Sequence, residues 1–181
     1  MNYSQMYSFL SEDNVKRHLG FMRELTAKRS IIEKSIPALK GVGVGELVKM
    51  NTRRSVKNEL LPLLLKIDAH RLYFSSFRKD PTPSEPIRRY YGSENSFCYE
   101  MREAARGQES GYLYVYKDQR GRPQFKVTDS LDVTFIKDSP NLLIDLFEHA
   151  YFADYAYSFG EYLKNALAHL DFSRLDGQIT P

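Results

Sequence analysis

The stretch that most constrains this chain is Leu142-Leu143-Ile144-Asp145-Leu146-Phe147-Glu148-His149-Ala150-Tyr151-Phe152-Ala153-Asp154-Tyr155. An apolar, strand-like run delivers a carboxylate, Asp145, and four residues later an imidazole follows, His149, with a second carboxylate, Glu148, directly beside it. On a surface helix such an Asp and His would form an i, i+4 pair worth roughly 0.2–0.5 kcal/mol and without functional meaning. The flanks argue against that, because Leu142 to Ile144 on one side and aromatic residues on the other give both groups an apolar setting. A buried carboxylate must be paired or coordinated, since leaving it alone is strongly unfavourable. One carboxylate oxygen and one imidazole nitrogen meeting at a point are half of a transition-metal site.

Two further histidines fall on helical patterns. Ser11-Glu12-Asp13 predicts an N-cap and an acidic first turn for a helix over about residues 14–36, ended by Pro37. Val15, His18, Leu19, Met22 and Leu25 recur at helical spacing, so His18 sits on the apolar face. Lys40-Gly41-Val42-Gly43-Val44-Gly45 has no Gly-Lys-Ser/Thr after it and reads as a linker between helices, not as a phosphate loop. A second helical pattern over 55–77, interrupted near Pro62, carries His70 among Leu64, Leu65, Ile67, Tyr73 and Phe74. A histidine on an apolar helix face is commonly a hydrogen-bonded core residue, and the pattern alone leaves that reading open for both.

Asp80-Pro81-Thr82-Pro83-Ser84-Glu85-Pro86 holds three prolines in seven residues and is the expected boundary between halves. The expected organisation is an N-terminal helical hairpin over 1–79, a proline-rich linker over 80–86 and a C-terminal domain over 87–181. Past the linker a helix is expected over 87–105, after which the period becomes alternating. Strands are expected at 112–116 and 124–128 around a turn at 119–123, with another at 142–146 and Val133-Thr134-Phe135-Ile136 a candidate to extend the sheet. A last helix is expected from Glu161 to Phe172. The fold class is α+β: a helical hairpin followed by a three-stranded antiparallel sheet with surrounding helices.

The net charge is +3, with basic residues spread in short groups such as Arg53-Arg54, Arg88-Arg89 and Arg120-Gly121-Arg122. No continuous basic stripe marks a nucleic-acid partner, although a mild positive field attracts a small anion. The single cysteine, Cys98, excludes an internal disulfide, fits a reducing compartment and reads as a buried small hydrophobe. The first residues, Met1-Asn2-Tyr3-Ser4-Gln5-Met6-Tyr7, carry neither a basic n-region nor an apolar h-region, and no run approaches the ~20 apolar residues of a membrane span. A soluble, cytoplasmic protein without a membrane partner is expected.

The segment from Asp145 to Tyr155, Asp-x-Phe-Glu-His-Ala-Tyr-Phe-x-Asp-Tyr, resembles the Asp-x-Trp-Glu-His-Ala-Tyr-Tyr-x-Asp-Tyr signature of the iron/manganese superoxide dismutases, with Phe147 in place of the Trp. Other stretches resemble the family in its order. Leu10-Ser11, followed after six residues by His18-x-Gly20, looks like the first-helix motif Ser-x-x-Thr-x-x-x-His-x-Gly-x-His. His70-Arg71-Leu72-Tyr73-Phe74 resembles Asn-His-x-x-Phe-Trp, with Ala69 replacing the Asn. Tyr91-Gly92-Ser93-x-x-x-Phe97 resembles Phe-Gly-Ser-x-x-x-Phe, and Ser110-Gly111-Tyr112-Leu113-Tyr114 resembles Ser-Gly-Trp-x-Trp. Tyr162 and Phe172 fall on a family Tyr and a family Trp. His169 falls on no family ligand position and reads as a residue near the negative end of the last helix.

The resemblance implies that His18, His70, Asp145 and His149 bind one iron or manganese ion per chain, and that superoxide is alternately oxidised to dioxygen and reduced to hydrogen peroxide there. Three neutral imidazoles and one carboxylate suit either metal in both oxidation states, though the donors alone would also accept zinc. It further implies a homodimer in which Glu148 reaches the partner's His149. Met22 and Phe152 stand where the family joins a His to a Tyr across that interface, so both ends of a polar contact have become apolar together.

Departures from the family fall on outer groups. Its further first-helix His, His and Tyr are here Met22, Arg23 and Thr26. The family Gln that bonds metal-bound solvent is absent from both of its positions: Lys66 holds one, and the other reads Asp129-Ser130-Leu131-Asp132. Gln119 and Gln124 lie elsewhere in the hairpin, and the Gln that would choose between iron and manganese is therefore missing. Lys66, one turn before His70, is the residue expected to supply positive charge for anion steering. Each lost outer-shell partner typically costs roughly 10–100-fold, which implies slow dismutation. The alternative is a catalytically weak or inactive member acting as a metal-binding, dimeric interaction domain.

Overall fold

The computed structural model describes residues 3–176. Residues 1–2 and 177–181, the outer ends of the two expected domains, lie outside the described residues. The architecture is α+β, with a helical N-terminal region followed by a three-stranded antiparallel sheet and its helices. The long helices α1 (Glu12–Ser35) and α3 (Arg54–Ser75) pack on each other, linked through the short α2 (Val44–Lys49). Helices α4 (Glu85–Tyr91) and α5 (Glu94–Ala104) lead into β1 (Tyr112–Lys117) and β2 (Pro123–Thr128). Then come α6 (Val133–Asp138), β3 (Leu142–Asp145), α7 (Glu148–Tyr155) and α8 (Phe159–Ala168). One hydrophobic cluster runs through both halves, from Met6 to Leu175.

The sheet order is β2-β1-β3, so β1 is central and antiparallel to both neighbours, with Tyr112 opposite Thr128 on one side and Asp145 on the other. Residues Val133–Ile136 do not extend this sheet. The side chain of Asp132 accepts from the Thr134 amide at 2.7 Å and starts a helix there, a cap that outweighs the strand preference of Val133 and Thr134. The expected helix over 87–105 is two helices, broken at Gly92, whose φ of 78° leaves the helical region, and restarted by the Ser93 cap on Ser96. Helix α4 begins at Glu85, inside the expected linker, because Pro86 fits a first helical turn. The last helix stops at Ala168, and Phe172–Leu175 form a separate 3-10 turn. Pro62 does not interrupt α3: it and Asn58, whose carbonyl loses its usual intrahelical donor, are both exposed residues of the helix.

Three polar ties position the elements that matter below. Ser11 caps α1 by accepting from the Asn14 amide, and Asp154 on α7 accepts from the Ser11 amide at 2.8 Å and the Asn14 side chain at 3.0 Å. This clamps the start of α1 to α7. Ser76, fully buried at the end of α3, donates to the Leu72 carbonyl and accepts from the Leu143 amide at 2.8 Å, which fixes β3 against α3. Gly111 has φ of 119°, and a Cβ there would lie 2.2 Å from the Thr128 carbonyl, so only glycine lets its own carbonyl take the Leu146 amide at 2.9 Å. Among the described residues no helix is long and apolar enough to cross a membrane.

Candidate metal centre

Side chains from three separate parts of the chain meet between these ties: His18 from the second turn of α1, His70 from α3, Asp145 from the end of β3 and His149 from the first turn of α7. One ligating atom from each lies within 4.8 Å of every other. Asp145 is at their centre. Its Oδ2 is 3.2 Å from His149 Nε2, 3.4 Å from His18 Nε2 and 3.8 Å from His70 Nε2. Its Oδ1 accepts from the Phe147 amide at 3.0 Å, which closes the strand-to-helix turn and leaves Oδ2 facing the imidazoles. The Asp145–His149 spacing thus spans a strand, a turn and a helix start, not one surface helix.

Burial makes the cluster electrostatically demanding. Asp145, His18 and His70 are all buried, whereas the His149 side chain keeps 29% exposure. Burial alone would raise the Asp145 carboxyl, but the hydrogen bond with His149 and the close approach of the His18 imidazole outweigh it and hold the carboxyl well below its ordinary range. Burial also lowers His18 and pushes His70 down to about 4, against the opposing pull of Asp145, so both imidazoles are neutral at pH 7. His70 Nδ1 lies 2.7 Å from the Lys66 carbonyl, one turn back on the same helix, and donates its proton there. That places the His70 lone pair on Nε2, facing the centre.

Both nitrogens of His18 and Nε2 of His70 are buried and without a hydrogen-bond partner. A buried polar atom left unpaired costs about 1–3 kcal/mol, so the two Nε2 atoms that face one buried carboxylate, those of His18 and His70, call for a further bonding group. Neutral imidazole lone pairs and a carboxylate are donors for a transition-metal ion. The residues present therefore fit a mononuclear metal site.

The surround is aromatic. The His18 ring packs on Tyr73 at 4.7 Å and Phe74 at 4.9 Å, and Phe147 stacks near His149 at 5.8 Å while meeting Tyr112 edge-on at 5.2 Å. Tyr162 donates its hydroxyl to the Asp145 backbone carbonyl at 2.7 Å, and its oxygen stands 3.4 Å from the Tyr73 hydroxyl. Burial raises both phenols far above their usual range, so they act as neutral donors. Tyr73 and Phe21 have no place in the sequence reading of the site. Phe21, three residues past His18, was detectable from helical spacing alone, and the Tyr73 hydroxyl from its substitution for a family Phe.

The other residues singled out by sequence fall as follows. Lys66 is exposed on α3, and its carbonyl, not its side chain, touches a cluster residue. Glu148 is exposed beside the half-buried His149, Met22 is half-buried and Phe152 is 43% exposed. Thr26 donates its hydroxyl to the Met22 carbonyl within α1, and the Gln124 side-chain amide donates to the Pro123 carbonyl. Gln119 is exposed at the hairpin turn. Neither hydroxyl nor amide is turned to the centre.

The family described as iron/manganese superoxide dismutases, C-terminal domain, matches residues 80–178. That span is more than half of the chain. The chain belongs to the iron/manganese superoxide dismutase family. No curated protein matches it. Asp145 and His149 lie inside the matched residues, while His18 and His70 lie before them and are joined to the site by geometry. Membership makes this a superoxide dismutase-like oxidoreductase by kind and implies iron or manganese as its cofactor, for which the His/Asp cluster is the metal-binding candidate.

Proposed function

We propose that the chain is a slow superoxide dismutase in which His18, His70, Asp145 and His149 hold one iron or manganese ion. The observation that carries this reading is the set of four ligating atoms within 4.8 Å of one another, with the Nε2 atoms of His18 and His70 buried and unpartnered. When bound, the metal supplies the one-electron cycle that turns superoxide into dioxygen and hydrogen peroxide by turns. The chain's residues do the rest. His70 presents Nε2 because Lys66 holds the proton on Nδ1. Tyr162 and the Phe147 amide hold Asp145 by its carbonyl and its Oδ1, which keeps Oδ2 aimed inward. The aromatic walls limit water at the centre, and the exposed Lys66 ammonium attracts the anionic substrate.

In this reading the working form is a homodimer in the cytoplasm, with Glu148 reaching the partner's His149, and Met22 and Phe152 in a dry contact between subunits. The partly open His149 and the exposed Glu148 and Phe152 support it. In this reading the metal joins the hairpin 1–79 to the C-terminal domain, whose first helix begins at Glu85 within the proline-rich 80–86 stretch.

A second reading, a metal-stabilised dimeric interaction domain without fast turnover, is favoured by the local use of Thr26 and Gln124, which leaves proton delivery without a hydroxyl or amide at the family places. Metal analysis and pulsed superoxide decay separate the two. The iron form, the manganese form and the His70→Ala apo protein are compared. Faster decay with one metal form supports the enzyme, and decay equal to the apo protein in both leaves the binding domain.

A further inference from the structure

Phe21 lies three residues past His18 on α1, and its ring rests on the two other imidazoles. Its centroid is 4.5 Å from that of His149, at 33°, and 5.4 Å from that of His70, at 38°. Those two imidazoles are themselves nearly parallel, 5.6 Å apart at 6°, so one phenyl ring lies against both. Among the described residues the hydrophobic core gathers Leu19 and Met22, the neighbours of Phe21 along α1, but not Phe21 itself. The ring is in contact with the two imidazoles and, being half-buried, keeps part of its surface open to solvent.

The position of that solvent side matters. His18, His70 and Asp145 are closed off by protein, and the exposed portion of the cluster belongs to His149. Within one chain, approach to the centre therefore runs past His149, against whose ring Phe21 lies. Past Phe21 along α1 come Met22, Arg23 and Thr26, and the Thr26 hydroxyl is bonded within its own helix. We infer that Phe21 is an aromatic lid on the centre: it admits small anions, excludes larger ones and slows escape of the bound metal. This rests on the metal-site reading above.

The physical basis is shape and desolvation. A phenyl ring offers no hydrogen bond to water or to a hydrated anion, so a ligand passing it must shed solvent without replacement. The apolar shell of a metal site governs solvent access, and a half-exposed side chain reorients fast enough to let a diatomic or triatomic anion through. A rigid, planar anion of phenyl size requires the ring to leave altogether. Truncating the ring opens the same path to chelators and water.

The test uses the full chain loaded with whichever of iron or manganese the wild type takes up, as wild type, Phe21→Leu and Phe21→Ala. Metal release into excess EDTA and binding of azide and benzoate are followed. The expected result is release on the order of tenfold faster for Phe21→Ala, with Phe21→Leu between, azide binding in all three and benzoate binding in Phe21→Ala alone. Phe21→Leu keeps an apolar side chain, so an intermediate rate there supports the lid even if the alanine chain does not fold. A metal-loaded Phe21→Ala chain that releases metal at the wild-type rate and still excludes benzoate would overturn the lid while leaving the metal site intact. A wild-type chain that takes up neither metal would instead overturn the metal site, and the lid with it.

Discussion

His18 Nε2 stands 3.4 Å from Asp145 Oδ2 in a pocket where both side chains are buried, and His18 Nδ1 and Nε2 have no hydrogen-bond partner. The two come from opposite ends of the chain and are held by independent ties. Asp154 clamps the start of α1, and the Phe147 amide and Tyr162 hydroxyl hold Asp145. A site assembled in this way is costly to keep when its donors have nothing to bond.

The first prediction concerns Asp145. Replacing it with Asn preserves a side-chain oxygen for the Phe147 amide but removes the charge that three imidazoles surround. Asp145→Asn is expected to fold and to lose stoichiometric iron or manganese, as read by elemental analysis after gel filtration. Wild-type protein should melt higher with metal than without, since a ligand at 1,000 times its Kd adds roughly 4 kcal/mol. Asp145→Asn with full metal occupancy would remove Asp145 from the site.

The second prediction is a pH dependence of the metal-free chain. His70 is pushed down to about 4 by burial, and His18 is lowered by the same cause, whereas both take up protons near 6.5 once unfolded. Between those values the unfolded chain binds more protons, so stability is fully present above about pH 6.5 and falls as pH drops towards 4. For His70 alone the loss by pH 4 is on the order of 3 kcal/mol. Asp145, held below its ordinary range, adds its own loss only under more acid conditions. Urea unfolding of metal-free wild type at pH 7.5, 5.5 and 4.5 measures this, and a His70→Gln chain should show a shallower decline. Equal declines would mean that His70 is not the titrating group.

Much of the site was legible because the chemistry is concentrated in short segments. Asp145 and His149 share one signature with apolar flanks, and His18 and His70 lie on apolar helix faces at motif spacing. The family likeness grouped them, and in the structure one ligating atom from each lies within 4.8 Å of the others. What sequence left out depends on tertiary approach. Helical spacing puts Phe21 near His18 and a family Phe position marks Tyr73, but only tertiary approach decides what each touches: α8 places Tyr162 beside Tyr73, and His70 and His149 both meet the Phe21 ring. In the fold, Val133–Ile136 read as a strand from its β-branched residues, but the Asp132 cap decided the local structure. Gly92 splitting one expected helix is the same lesson, since a single positive φ outweighs the helical period on either side.

The third prediction concerns the exposed edge of α7. Glu148 lies next to half-buried His149, with Phe152 one turn on at 43% exposure. Glu148→Ala is expected to weaken association between copies and to speed metal loss from the His149 side, because an outer carboxylate on a ligand imidazole typically accounts for roughly 10–100-fold in metal affinity. Sedimentation velocity across a dilution series reads the first effect and chelator-driven release the second. A wild-type chain that stays monomeric with metal bound at micromolar concentration would count against this interface.

The fourth prediction concerns Cys98. The structure leaves Cys98 half-buried, not fully buried as expected, yet that burial pushes its thiol up to about 12, with Glu94 adding to the shift, and its sulfur hydrogen-bonds weakly to the Leu167 carbonyl at 3.9 Å. At pH 8 about one thiol in ten thousand is then thiolate, so native protein should react with iodoacetamide far more slowly than the unfolded chain. Mass spectrometry of alkylation with and without urea checks this. Comparable rates would mean that Cys98 is not shielded.

The last prediction separates two roles of one residue. The Lys66 backbone carbonyl accepts the His70 Nδ1 proton and is indifferent to the side chain, whereas the exposed ammonium is the part that anion steering, as proposed, would use. Lys66→Met should therefore leave metal content and melting temperature close to wild type and lower only the second-order rate constant for superoxide. A unit charge at about 10 Å in water changes the energy of a monovalent anion by roughly 0.4 kcal/mol, about twofold in local concentration. The expected loss is of that size at low ionic strength and should vanish as salt approaches 1 M, where the screening length falls to about 3 Å. Pulsed superoxide decay from 10 mM to 1 M salt, on wild type and Lys66→Met loaded with the same metal, measures both. A loss that persists undiminished in high salt would place the effect of Lys66 in the structure of α3 around His70, and steering by its charge would be abandoned.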